Sequence, residues 1–165
     1  MDALGAIRDL LAHMQWADAT IWAAVRRLDS GDPDLRDRLR HLHATQRAFL
    51  QVWRSEPVRL EPPEDLQQWA QSYYAELAPF LSSVDADALD RVMNMPWADR
   101  YSKHEKAHAT TLAETLIQIA SHSTYHRGQV NMRIRQLGGE PPQVDYIAWL
   151  WLGRPEADWS TGFNR

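Results

Sequence analysis

The sequence predicts an all-α fold: a four-helix bundle with a short additional C-terminal helix, read as one domain over residues 1–165. Three observations carry this. Four long segments place apolar residues at alternating three- and four-residue spacing, capping and breaking residues stand where those segments end, and periodic strand signals are absent. A chain of 165 residues is long enough to bury roughly 70% of its unfolded surface without disulfides or a structural metal.

The first helix is expected over about Ala3–Leu28, with the stripe Leu4, Ile7, Leu11, Met14, Asp18, Ile21, Val25, Leu28. It stops at Asp29-Ser30-Gly31-Asp32-Pro33, a turn whose last two residues offer an N-cap and an N1 proline to the next helix. The second, about Pro33–Arg54, ends before Pro57 and reads Leu35, Leu39, Leu42, Gln46, Phe49, Trp53. The third, about Pro63–Val84, reads Leu66, Ala70, Tyr73, Leu77, Phe80, Val84, and a less regular stretch follows through Pro96-Trp97. The fourth opens at Thr111-Leu112-Ala113-Glu114, a capping-box pattern, and closes at Gly138-Gly139 with Pro141-Pro142 beyond. Its stripe is Leu112, Leu116, Ile119, Ser123, His126, Val130, Ile134, Leu137. A fifth, short helix is expected at about Asp145–Leu152, over one end of the bundle.

The polar residues inside these stripes are informative. Asp18, Gln46, and the pair Ser123 and His126 all fall near the middle of their helices, while the third helix offers only the Tyr73 hydroxyl. A buried carboxylate or imidazole is costly unless it is paired, hydrogen-bonded or bound to a metal. Helix bundles build metal and ligand sites from inward residues at this height. A set of satisfied core groups is the alternative for any one of them, and three at similar depth favour a site.

His122 and His126 stand one turn apart, so their Cβ atoms are ~5–6 Å apart on one helix face. Two neutral imidazoles so placed can bind one divalent ion with a third ligand from another helix. Gly128 just beyond, which costs ~1 kcal/mol inside a helix, suggests close approach of another backbone or a ligand, and Ser123 leaves space before Arg127. The second helix carries His41 and His43, which diverge around the axis, and periodicity slightly favours His43 as the third ligand. His13, His104 and His108 read as surface or loop residues, with His13 a reserve candidate.

Composition narrows the chemistry. With no cysteine in the chain, disulfides, iron–sulfur clusters, Cys-ligated zinc and a cysteine nucleophile are excluded. The net charge of −4 and the absence of a basic run argue against nucleic-acid binding. No stretch approaches the ~18–20 apolar residues of a membrane span, and the N-terminal segment reads as an amphipathic helix instead of a signal peptide. A cytoplasmic location is therefore expected. Eight tryptophans suit either a ligand pocket, a dimer interface or ordinary packing.

The string Ser121-His122-Ser123-Thr124-Tyr125-His126-Arg127-Gly128-Gln129 resembles the H-x-x-x-H-R-G-Q signature of the DinB/YfiT-like family. Gln15-Trp16-Ala17-Asp18, and Gly138 followed by Pro141 and Asp145-Tyr146, are similar to other elements of that family, whereas about Ser55 to His108 matches no motif. The resemblance implies a four-helix bundle with one divalent metal ion on three histidines. It also selects among the candidates on the second helix. There the family has an aliphatic residue directly after the histidine, a polar one five positions on and an aromatic–leucine pair beyond. His41 fits, with Leu42, Gln46, Phe49 and Leu50, while His43 would put Ala48 at the polar position. The implied ligands are His41, His122 and His126.

Such a site leaves a coordination position open, the pattern of catalytic zinc-type sites. The resemblance implies a metal-dependent transferase that uses a low-molecular-weight thiol on an electrophilic small-molecule substrate. Asp18, Gln46 and Arg127 would then be supporting or substrate-contacting groups. Zinc, nickel, iron and manganese all suit three imidazoles. A metal-dependent hydrolase with Asp18 as base is the second reading. A non-catalytic, stress-related metal or small-ligand binding protein, with a homodimer as a possible form, is the third.

Overall fold

A computed structural model describes residues 2–100 and 106–160. Helix α1 spans Ala3–Leu28, α2 Pro33–Trp53, α3 Leu66–Ser83, α4 Leu112–Gln136 and α5 Tyr146–Trp151. Among the described residues the architecture is all-α apart from one two-residue ladder. In it, β1 (Val92–Met93) pairs antiparallel with β2 (Thr110–Thr111). That ladder carries too few residues for alternation to show in the sequence. It ties the irregular stretch, with its 3-10 turns at Asp87–Asp90 and Ala98–Arg100, to the start of α4.

The helix ends follow from local chemistry. Asp2 caps α1 through the Gly5 N–H at 2.7 Å, and Asp29 closes it in the left-handed region at φ 45°, which Asp enters more readily than most residues with a Cβ. Asp32 caps α2 through the Leu35 N–H at 2.7 Å, directly before Pro33. Thr111 and Glu114 form the reciprocal capping box of α4. Past its last turn, Gly138 turns the chain at φ 82°. α3 starts three residues later than expected. Asp65, whose carboxylate accepts from the Gln68 N–H at 2.8 Å, is the N-cap, and Pro62 has no side chain to cap a helix opening at Pro63.

α4 packs on α1 and α2, and α3 closes the bundle against the same two helices, so α3 and α4 stand diagonally opposite. Most positions of the core stripes bury, with Met14, Ile21, Tyr73, Leu112, Leu116, Ile119, Val130 and Ile134 wholly inaccessible. Two cross-ties reinforce the register. Arg133 near the end of α4 grips Asp32 at 2.6 Å and Asp34 at 3.3 Å. This contact holds the Asp32 carboxyl at about 2, below its usual range, chiefly through the Arg133 hydrogen bond. The second tie involves His13, which is buried rather than at the surface. Its Nε2 bonds the Val144 carbonyl oxygen at 2.9 Å, and its ring packs against Trp16, Tyr146 and Trp149. This fastens the α5 region to α1 and removes His13 from the ligand candidates. Of the tryptophans, Trp22, Trp53, Trp149 and Trp159 are buried in packing roles, and Trp151 is exposed.

Candidate metal centre

Two polar constellations occupy the middle of the bundle. One is sealed in the core and the other lies at its edge.

The sealed constellation draws on all four long helices. Asp18 on α1 is inaccessible, and its Oδ1 accepts from Arg127 Nη1 at 2.9 Å. Its Oδ2 accepts from Gln46 Nε2 at 2.7 Å and from the Tyr74 hydroxyl at 2.5 Å. Gln46 Nε2 also reaches Ser123 Oγ at 3.1 Å. Its carbonyl oxygen accepts from His43 Nδ1 at 2.8 Å, and His43 Nε2 accepts from Trp22 Nε1 at 3.0 Å. The relay runs Trp22, His43, Gln46, Asp18, each donating to the next. It requires a neutral imidazole, and burial pushes His43 that way by lowering its pKa, with only partial opposition from Asp18. A group so completely engaged has no lone pair to offer an ion, so His43 is not a metal-ligand candidate.

Three sequence expectations change here. The hydroxyl that α3 contributes is that of Tyr74, while the buried Tyr73 hydroxyl finds no partner among the described residues. The core position expected for His126 is taken by Arg127, which is 1% exposed. Ser123 makes room for it by leaving the volume a leucine would fill. Gly128 faces outward, and no described residue comes within 4 Å of where its Cβ would stand, so no backbone among the described residues approaches it.

The edge constellation is formed by His41 of α2 with His122 and His126 of α4. One ring nitrogen of each lies within 4.8 Å of the other two. The ring centroids are 4.3 Å apart for His122–His126, 4.5 Å for His41–His126 and 5.8 Å for His41–His122. Imidazole nitrogens around a tetrahedral ion, at bonds of ~2.0–2.1 Å, stand roughly 3.4 Å apart. The observed spacing is within a ring rotation of that arrangement. Two features show that the residues fit an ion. His122 Nε2 is buried and has no hydrogen-bond partner among the described residues, a costly state for a polar atom that a cation would relieve. His126 Nδ1 donates to Gln129 Oε1 at 2.9 Å. This fixes the tautomer with a free Nε2 lone pair, the outer support usual for ligating histidines.

The electrostatics agree. Burial, with His126 and His41 beside it, brings His122 down to about 4, and burial likewise lowers His126. Both are neutral at physiological pH, the form that binds metal. His41 is exposed while its two partners are half-buried, so the cluster opens to solvent on the α2 side.

The structure thus brings His41, His122 and His126 together. It also brings Asp18, Gln46 and Arg127 together, but with one another and not in hydrogen bonds to the three histidines. His108 is exposed in an irregular segment, and His104 lies outside the described residues. Sequence reasoning gave Gln129 no role, although its three-residue spacing from His126 on one helix marks it as a neighbour.

Fold and site together define a class: a four-helix bundle with a solvent-facing, three-imidazole cluster between α2 and α4. Comparison with known proteins narrows it. The DinB family model matches residues 2–157, and the chain belongs to the DinB family. A 47-residue stretch is 36% identical to "Protein DinB" of Bacillus subtilis (strain 168); that stretch is 28% of this chain and 27% of that protein. The alignment therefore spans only about a quarter of this curated relative.

Proposed function

We propose that this protein holds one divalent ion on His41, His122 and His126 and is a thiol-dependent S-transferase. The observation that carries the metal reading is the buried, unpartnered Nε2 of His122 inside a cluster of three converging imidazoles. A divalent ion there supplies Lewis acidity, favouring the thiolate form of a sulfhydryl co-substrate near neutral pH. The chain's own residues do the rest. His122 and His126 stay neutral, Gln129 keeps the His126 proton on Nδ1, and the exposed His41 side admits the reactants.

One feature favours a transferase over a hydrolase, and the lack of cysteine in the chain is compatible with a sulfur nucleophile that arrives with a co-substrate. The carboxylate considered as a hydrolytic base, Asp18, is inaccessible and accepts three hydrogen bonds, which leaves it no proton-accepting role at the open side. This reading implies action in the cytoplasm, the reducing compartment where such thiols are kept. No helix among the described residues is long and apolar enough to cross a membrane.

The test is a panel of low-molecular-weight thiols, glutathione, bacillithiol and mycothiol among them, against electrophilic substrates, using metal-loaded protein. Turnover should need both metal and thiol. Turnover with metal alone would establish the hydrolase instead, and tight metal binding with no turnover on any pair would leave a binding protein. Separately, Gln129→Leu should weaken metal affinity ~10–100-fold, as outer-partner losses typically do. Competition with a chromophoric chelator would read this, and unchanged affinity would remove Gln129 from the site.

A further inference from the structure

At the end of the bundle where α1 stops and α2 and α3 begin, a cleft of about 340 Å³ opens between these three helices. Its walls are apolar: Trp22 and Val25 of α1, Leu35 and Leu39 of α2, and Leu66 of α3. The turn residues Ser30 and Gly31 border it, and neither has a side chain large enough to fill it. A Cβ at Gly31 would meet no described residue within 4 Å. Packed side chains ordinarily leave few voids larger than a water molecule, so a recess kept open by small residues is room for a ligand. Its volume stands at the small end of the ~300–1,000 Å³ usual for ligand sites, which suits a compact molecule. One wall is set in advance. Trp22 Nε1 donates to His43 Nε2 at 3.0 Å and the two rings stack at 5.9 Å, which holds the indole in place.

The mouth carries charge of both signs. Arg36 Nη2 donates to the Glu64 backbone oxygen at 3.0 Å, which draws the guanidinium from α2 toward the start of α3. Among the described residues no carboxylate pairs with Arg36 and no cation pairs with Glu64. Asp65 uses one carboxylate oxygen to cap α3 at the Gln68 N–H and keeps the other. Asp32, the remaining acid at the cleft, is taken up by Arg133. A molecule that satisfies this mouth has a carboxylate for Arg36, which grips that group with paired N–H donors. It also has an ammonium for Glu64 and Asp65, and an apolar remainder for the walls.

We propose that the cleft binds an apolar α-amino acid. Its carboxylate lies on Arg36, its ammonium on Glu64 and Asp65, and its side chain between Trp22, Leu39 and Leu66. None of His41, His122 and His126 lines the cleft, so the inference is independent of the metal reading.

Isothermal titration calorimetry on the full chain with phenylalanine reads this. Phenylalanine should bind saturably. Phenethylamine and hydrocinnamate, each lacking one of its charges, should bind at least ~10-fold more weakly, the loss of one charge-assisted contact. Arg36→Gln should weaken phenylalanine by a similar factor and leave phenethylamine unchanged. Glu64→Gln/Asp65→Asn should weaken phenylalanine and leave hydrocinnamate unchanged. All three positions are exposed, so these variants leave the core intact, and asparagine still caps a helix. Val25→Trp, which fills the cleft, should abolish binding with an unchanged helical circular dichroism spectrum. A free amino acid also chelates metal ions, so the titration is repeated on His122→Ala/His126→Ala, where binding should persist. No saturable binding, or equal binding of the three molecules, would overturn the proposal. So would binding lost with the histidines, which would place the amino acid on the ion.

Discussion

Asp18→Ala should lower the stability of this protein by about 3–5 kcal/mol, the usual cost of removing one partner of a buried ion pair. The reason is what remains. Arg127, 1% exposed, would keep its charge with no carboxylate opposite, and Gln46 and Tyr74 would each lose a partner. For a chain of this size the melting temperature should fall by roughly 10 °C. Replacing both members, as Asp18→Leu/Arg127→Met, should recover much of the loss, because paired apolar replacements of buried ion pairs are often close to neutral. Urea denaturation of the three variants beside the wild type gives the comparison. A single variant as stable as the wild type would mean that the network contributes little. If Asp18→Ala, refolded and intact, also binds metal with wild-type affinity, the sealed constellation is structural and the edge constellation alone is the metal site.

The second large effect concerns metal content. Wild-type protein should carry about one equivalent of a divalent ion near pH 7.5, and His122→Ala/His126→Ala almost none. Removing two of three ligands should exceed the ~10–100-fold loss typical of outer partners. Mass spectrometry on untagged protein reads this directly. Little metal in both proteins, even after reconstitution, would refute the site.

The same variant carries a pH signature in the metal-free protein. His122 titrates near 4 when folded, against 6.5 for the unperturbed group. Between those values the unfolded chain binds the extra proton, so stability falls as pH drops through that window. The double variant should show a shallower fall.

The helix ends were largely legible because capping is local chemistry: Asp32 before Pro33, Thr111 with Glu114, and Gly138 each act within a few residues. The start of α3 was missed because Pro63 and Asp65 both signal a helix start and only one can be its cap. The choice between Tyr73 and Tyr74 was closed to periodicity, since neighbours differ by ~100° around the axis and both are buried.

The three histidines show the same division. The spacing of His122 and His126 marked a shared face, and family resemblance pointed to His41. Periodicity preferred His43, and it was right about burial: His43 is 1% exposed. Its neighbours give it a different part, because both ring nitrogens of His43 are engaged, by Trp22 and by Gln46, whereas His41 stands with His122 and His126 at the bundle edge. The sequence by itself determined the helices, their buried stripes and the presence of polar groups at mid-height. Only the tertiary structure decided how those groups divide. Arg127 reaches into the space beside Ser123 to meet Asp18, which seals one set in the core and leaves the His122 and His126 rings at the edge facing His41. That partition depends on the reach of long side chains between helices distant in sequence, which spacing along one helix does not encode.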